Sequence, residues 1–91
     1  MNQPSPTRIL VVEDSPTQAH AIRRVLESAG YEVVVATTGE EGLSRLNTEQ
    51  FHGVISDVVM PGAIDGYELC RRIKRLPTSR EVPVMLLTSL S

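Results

Sequence analysis

Apolar and polar positions along this chain alternate between two periods. Ile9-Leu10-Val11-Val12 is a short continuous apolar run, the mark of a strand buried on both faces. Ala19, Ile22, Val25, Leu26 and Ala29 follow at helical spacing. Ser15 stands where an N-cap belongs, and Pro16 suits the first helical position because its missing N–H would have no partner there. Gln18 can close a capping box, and Gly30 sits where a left-handed residue ends the helix. Tyr31–Ala36 is the second predicted strand. Thr38-Gly39-Glu40-Glu41 is a second box, opening a short helix with Leu43 and Leu46 inward. Gly53–Val58 is the third strand and carries an unexpected acid, Asp57. A third box, Asp65-Gly66-Tyr67-Glu68, opens a helix with Leu69, Cys70, Ile73 and Leu76 on one face, and Pro77 follows its end. Val84–Thr88 is the fourth strand. Strand and helix alternate throughout, which argues for an α/β fold with a parallel sheet and helices on both faces.

Ninety-one residues make one domain at most. Hydrophobic residues at 41% and charged residues at 22% fit a globular protein and neither disorder nor a fibrous repeat. Residues 1–7 form a polar, Pro-interrupted lead-in expected to be mobile, and the domain runs from 8 to 91. Apolar runs reach only four residues, against about 20 for a membrane span, and the N-terminus has no signal-peptide core. The expected location is cytoplasmic, with no membrane partner. A single cysteine, Cys70, excludes a disulfide framework or a cysteine-based metal site within the chain. The formal charge of −2 gives no reason to expect nucleic-acid binding.

In an open parallel sheet, ligands bind outside the carboxyl ends of the strands, where strand order reverses. The first strand ends in Glu13-Asp14, the third in Asp57 and the fourth in Thr88, whereas the second ends without an acid. With the first strand between the second and third, Glu13, Asp14 and Asp57 converge. Acids just before a helix also favour its dipole, which is the bland reading of Glu13-Asp14. Asp57 has no such duty. Three close carboxylates do not all stay ionised without a compensating cation. Oxygen-only ligation with waters suits Mg²⁺, and an Asp in such a site can act as a nucleophile toward phosphorus. Thr88 can donate a hydrogen bond to a phosphoryl oxygen.

Leu10-Val11-Val12-Glu13-Asp14-Ser15, Asp57-Val58-Val59-Met60-Pro61 with Asp65-Gly66-Tyr67-Glu68-Leu69-Cys70, and Pro83-Val84-Met85-Leu86-Leu87-Thr88-Ser89 together resemble the receiver domain of two-component response regulators and hybrid histidine kinases. The resemblance covers residues 8 to 91. It implies a flavodoxin-like (CheY-like) three-layer fold, here with strand order 2-1-3-4, the fifth strand and last two helices being absent from the chain. It further implies that Asp57 accepts a phosphoryl group from a phosphohistidine on a sensor histidine kinase or phosphotransfer protein. Glu13, Asp14, Asp57 and the Val59 carbonyl would hold Mg²⁺, Thr88 would be the switch hydroxyl, and the Ser89 backbone N–H would contact the phosphoryl group. An output domain or effector protein would read the change. Two departures stand out. The segment Pro61-Gly62-Ala63-Ile64-Asp65-Gly66 is one residue longer than the family's common spacing. The family's lysine at the end of a fifth strand has no counterpart either, since the only Lys, Lys74, precedes the fourth strand.

Other groupings carry less. His20 lies one position off the apolar helix face, which removes it from a triad with Asp14 and Ser15. His52 falls at the sheet end opposite the acids. Gly39-Glu40-Glu41-Gly42 is too short and too acidic to cradle phosphate. Cys70 reads as packing. Arg71, Arg72, Lys74, Arg75 and Arg80 complement a helix end and could contribute to docking. The competing reading is a receiver-like interaction module that is never phosphorylated; a Mg²⁺-dependent phosphohydrolase lacks its general acid. The fourth strand is expected to be an apolar edge open to self-association.

Overall fold

The first apolar run forms strand β1 (Arg8–Val12) in a computed structural model that describes residues 6–88. Helix α1 (Pro16–Ser28) leads to β2 (Glu32–Ala36), α2 (Gly39–Thr48) to β3 (Gly53–Asp57), and α3 (Gly66–Arg75) to β4 (Val84–Leu87). All pairings are parallel, and the sheet order is β2-β1-β3-β4, as the resemblance implied. Chain direction across the sheet reverses at β1. Right-handed crossovers then place α1 on one face and α2 and α3 on the other. The reversal also opens the crevice between the carboxyl ends of β1 and β3.

Each helix starts at its expected cap. Ser15 Oγ accepts the Gln18 N–H at 3.3 Å, Thr38 Oγ1 the Glu41 N–H at 3.0 Å, and Asp65 Oδ1 the Glu68 N–H at 2.8 Å. The returning halves of the boxes go elsewhere. Ser15 N–H donates to Glu13 Oε1, Glu41 Oε1 accepts from the Thr37 N–H, and Glu68 turns to Arg71 and Arg72. For Glu68, two charge-assisted bonds to guanidinium groups outcompete one backbone amide. Helix α1 ends with Gly30 at φ +95°, its N–H donating to Glu27 O and the Tyr31 N–H to Leu26 O. That capping bond is why Tyr31 falls outside the β2 ladder. Thr7, assigned to the polar lead-in from its sequence, already accepts the Glu32 N–H at 2.9 Å.

The principal core lies between the sheet and the α2–α3 layer. Leu10, Val12, Ala36, Leu46, Phe51, Val54, Met60, Ile64, Leu69 and Ile73 pack there as one cluster. Period-2 alternation sends Ile9, Ile55, Met85 and Leu87 to the opposite face, where α1 covers only part of them. Val25 on α1 is 70% exposed and Met85 on β4 59%. Among the described residues β4 pairs only with β3.

Candidate functional site

Register brings the acids together. Val12 stands opposite Ser56, so the next residues along the two strands, Glu13 and Asp57, emerge at the same level. Glu13 N–H still donates to Ala36 O at 2.9 Å, and Val58 N–H to Leu87 O at 3.0 Å, so both chains leave the sheet held by backbone bonds. Carboxylate oxygens of Glu13, Asp14 and Asp57 lie within 4.8 Å of one another. Glu13 is buried, Asp57 half-buried and Asp14 exposed. Asp57 Oδ1 receives a long contact from the Val59 N–H at 3.4 Å.

The electrostatics follow from this packing. The Glu13 carboxyl is pushed above its ordinary value, chiefly by burial, with Asp57 and Asp14 adding like charge; the Ser15 N–H opposes the shift. Among the described residues every Lys or Arg in an ion pair is paired elsewhere: Arg8 with Glu32 and Glu49, Arg23 with Glu27, Arg45 with Glu49, and Arg71 and Arg72 with Glu68. Lys74 Nζ donates to Val82 O and Arg80 O, away from the acids. An acidic, oxygen-only cluster with no cationic partner is a donor set for a hard metal ion.

Thr88 follows β4 and shares with Asp57 a cavity of about 340 Å³, also lined by Gln18, Ala21, Ile22 and Leu87. Ser89 lies outside the described residues. His20 is exposed on α1. His52 has a structural task that its sequence context did not show: its Nδ1 accepts the Arg8 N–H at 2.9 Å, capping the start of β1. Cys70 is half-buried on α3. Sequence reasoning passed over Ser56, whose hydroxyl donates to the Asp57 carbonyl at 2.9 Å. A buried serine inside an otherwise apolar strand was the available signal.

Comparison with known proteins agrees with this geometry. The pattern of the response regulator receiver domain matches residues 9–91. The chain is 33% identical over 82 residues to Protein PilH of Pseudomonas aeruginosa, which takes in 90% of this chain and 67% of that protein. It spans only 35% and 34% of two further curated relatives. Among solved structures, it resembles the signal receiver domain of a signal transduction histidine kinase from Syntrophus aciditrophicus. There the identity is 46% and the TM-score 0.87, over 93% of this chain and 64% of that one. It also resembles the receiver domain of sensor histidine kinase PA1611 from Pseudomonas aeruginosa, described with a magnesium ion coordinated in its active site cleft. That match has 30% identity and a TM-score of 0.86, over 92% of this chain and 68% of the other.

Proposed function

Because the chain belongs to the response regulator receiver domain family, we propose that it is the phosphoacceptor module of a phosphorelay, with Asp57 taking a phosphoryl group from a partner's phosphohistidine. Receiver domains are signalling modules of two-component systems and not metabolic enzymes. The observation that carries the proposal is the convergence of Glu13, Asp14 and Asp57 within 4.8 Å, at the point where strand order reverses.

The residues present fit Mg²⁺: three carboxylates supply hard oxygen ligands, and burial plus like charge already disfavour ionisation of Glu13. Glu13, Asp14, Asp57 and the Val59 carbonyl would hold the ion, and the related receiver described with magnesium supports this assignment. Bound there, Mg²⁺ supplies charge neutralisation for the phosphoryl oxygens. A carboxylate oxygen of Asp57 attacks phosphorus as the N–P bond of the phosphohistidine breaks, and the imidazole nitrogen leaves with the electron pair. Thr88 donates its hydroxyl to a phosphoryl oxygen, and the Ser89 N–H contacts the same group. Water later cleaves the acyl phosphate and restores Asp57.

The domain spans residues 8–91 in this reading and works in the cytoplasm; no helix among the described residues is long and apolar enough to cross a membrane. Its partners are a sensor histidine kinase or phosphotransfer protein and an output domain or effector. The open β4 edge offers a surface for self-association. A second reading, a receiver-like module that binds partners without phosphorylation, draws on the want of any described Lys or Arg paired to the three acids.

The test is incubation with Mg²⁺ and a small acyl-phosphate donor, followed by intact-mass measurement of wild type and Asp57→Asn. One phosphoryl adduct on the wild type and none on the variant is expected. No adduct on the wild type would sink the phosphoacceptor reading in favour of the second.

A further inference from the structure

We infer that Gly66 is a positioning residue for phosphoryl transfer at Asp57, because the missing side chain lets α3 seat directly on the backbone that carries the acceptor. The inference rests on the reading of Asp57 given above. A Cβ built at residue 66 would lie 2.3 Å from the Asp57 carbonyl oxygen, 2.7 Å from Val58 Cα and 3.0 Å from the Asp57 carbonyl carbon. All three are backbone atoms, so no side chain can swing aside to make room. Sequence alone gives Gly66 a lesser part, that of a residue just inside a helix cap.

The backbone it touches has little freedom to yield. The Asp57 carbonyl accepts the Ser56 hydroxyl at 2.9 Å. Val58 N–H donates to Leu87 O at 3.0 Å, and the Val58 carbonyl accepts the Gly66 N–H at 2.9 Å. Moving Asp57 and Val58 away from a new methyl group therefore strains bonds to β4, to Ser56 or to α3 itself. Either way the Asp57 carboxylate and the Val59 carbonyl shift relative to Glu13 and Asp14, which follow β1 and are not tied to α3.

A second close approach holds the other end of the same loop. A Cβ at Gly39 would lie 2.6 Å from Ile64 Cγ2 and 2.9 Å from Ile64 Cβ. Ile64 is buried, and it packs where α2 begins. The segment from Val58 to Asp65 is thus seated on two glycines, one under Asp57 and one under Ile64. Of these two glycines, only Gly66 meets the acceptor's own peptide.

The experiment compares Gly66→Ala with Gly53→Ala in the same chain. A Cβ built at residue 53 would also meet a neighbour, lying 3.2 Å from Ile9 Cδ1, but at the far end of β3 from Asp57. Two readouts are taken. The first is the amide shifts of Val58 and Val59 in metal-free protein by ¹⁵N correlation spectra. The second is the rate of Asp57 phosphorylation at saturating Mg²⁺ and acyl-phosphate donor. Gly66→Ala is expected to move both amides and to slow phosphorylation about 10- to 100-fold, as sub-ångström to ångström misplacement does. Gly53→Ala is expected to leave both readouts at wild-type values. A folded Gly66→Ala protein with unmoved amides, or with a wild-type rate, would overturn the inference. If Gly66→Ala is unfolded in plain buffer, the spectra are recorded in trimethylamine N-oxide, which favours the compact state. Failure to fold there too would show a role in the whole fold and overturn the local one. Absence of phosphorylation on the wild type would instead remove the functional reading, while the amide shifts would still report whether Gly66 sets the position of Asp57.

Discussion

Glu13 Oε1 accepts the Ser15 N–H at 3.0 Å, so a buried acid at the end of β1 braces the turn into α1 with the same carboxylate it brings to the acidic cluster. Glu13→Gln separates these duties, since the amide oxygen still accepts the bond but carries no charge. The Glu13 carboxyl is raised in the folded state, so metal-free wild type loses stability as the pH rises through that raised value. The Gln variant is expected to lack this slope and to melt no lower than wild type without metal. A thermal melt series across pH measures it. A steeper loss in the variant would contradict the electrostatic account.

Added Mg²⁺ reverses the balance. An ion bound only by the folded state stabilises by about 2.7 kcal/mol at a hundredfold excess over its dissociation constant. Wild type is expected to gain melting temperature as Mg²⁺ is titrated, and Asp57→Asn and Glu13→Gln to gain much less. Equal gains in all three proteins would place the ion elsewhere.

At the opposite end of the sheet, Arg8 donates to Glu49 at 2.9 Å and Arg45 meets the same carboxylate at 3.0 Å. Hydrogen bonds from Arg8 and then Arg45 hold the Glu49 carboxyl below its ordinary value. A lowered carboxyl contributes stability above the unfolded value and loses it as the pH falls through the folded one. Glu49→Gln is therefore expected to lower the urea midpoint at neutral pH and to flatten its fall in acid. A midpoint that tracks wild type at every pH would show that the pair contributes nothing.

Leu69 is fully buried in the principal core, on the face of α3 that meets α2 and the sheet. Leu69→Ala is expected to cost about 2–5 kcal/mol from lost burial and the cavity left behind. Denaturant unfolding gives the number, and a loss well under that range would mean that the α2–α3 layer collapses onto the gap.

Met85 lies on the face that α1 leaves uncovered, beside the open edge of β4. An apolar edge strand recruits other strands, and a lysine at such a position blocks them. Wild type is expected to associate with rising concentration in sedimentation velocity and Met85→Lys to stay monomeric. Monomeric wild type across the range would remove self-association from the proposed roles.

Much of this was legible in the residues because the signals were local. Ser15, Thr38 and Asp65 each cap a helix through an amide three residues on, and Asp57 stood out as an acid closing an apolar strand. What was not legible depends on partners far along the chain. His52 caps Arg8 across the gap between β1 and β3, and Ser79 Oγ donates to Ile73 O at 2.9 Å after α3 has already ended. The loop after Asp57 is one residue longer than the family's common spacing, and Gly62 takes φ +99° there, a turn open to glycine without strain. The crowding of Gly66 against Asp57 could not be read from an Asp-Gly pair that also reads as an ordinary helix start.

The reversal of direction at β1 also sets an order of events. Glu13 and Asp14 are made early, yet they meet Asp57 only after the chain has laid down β2, crossed back over β1 and paired β3 beside it. A nascent or partly folded chain holds Asp57 apart from the neighbouring Glu13 and Asp14, so the three carboxylates do not form one cluster. The β1–β3 ladder is therefore what brings the three acids together, and the cluster exists only while that ladder holds.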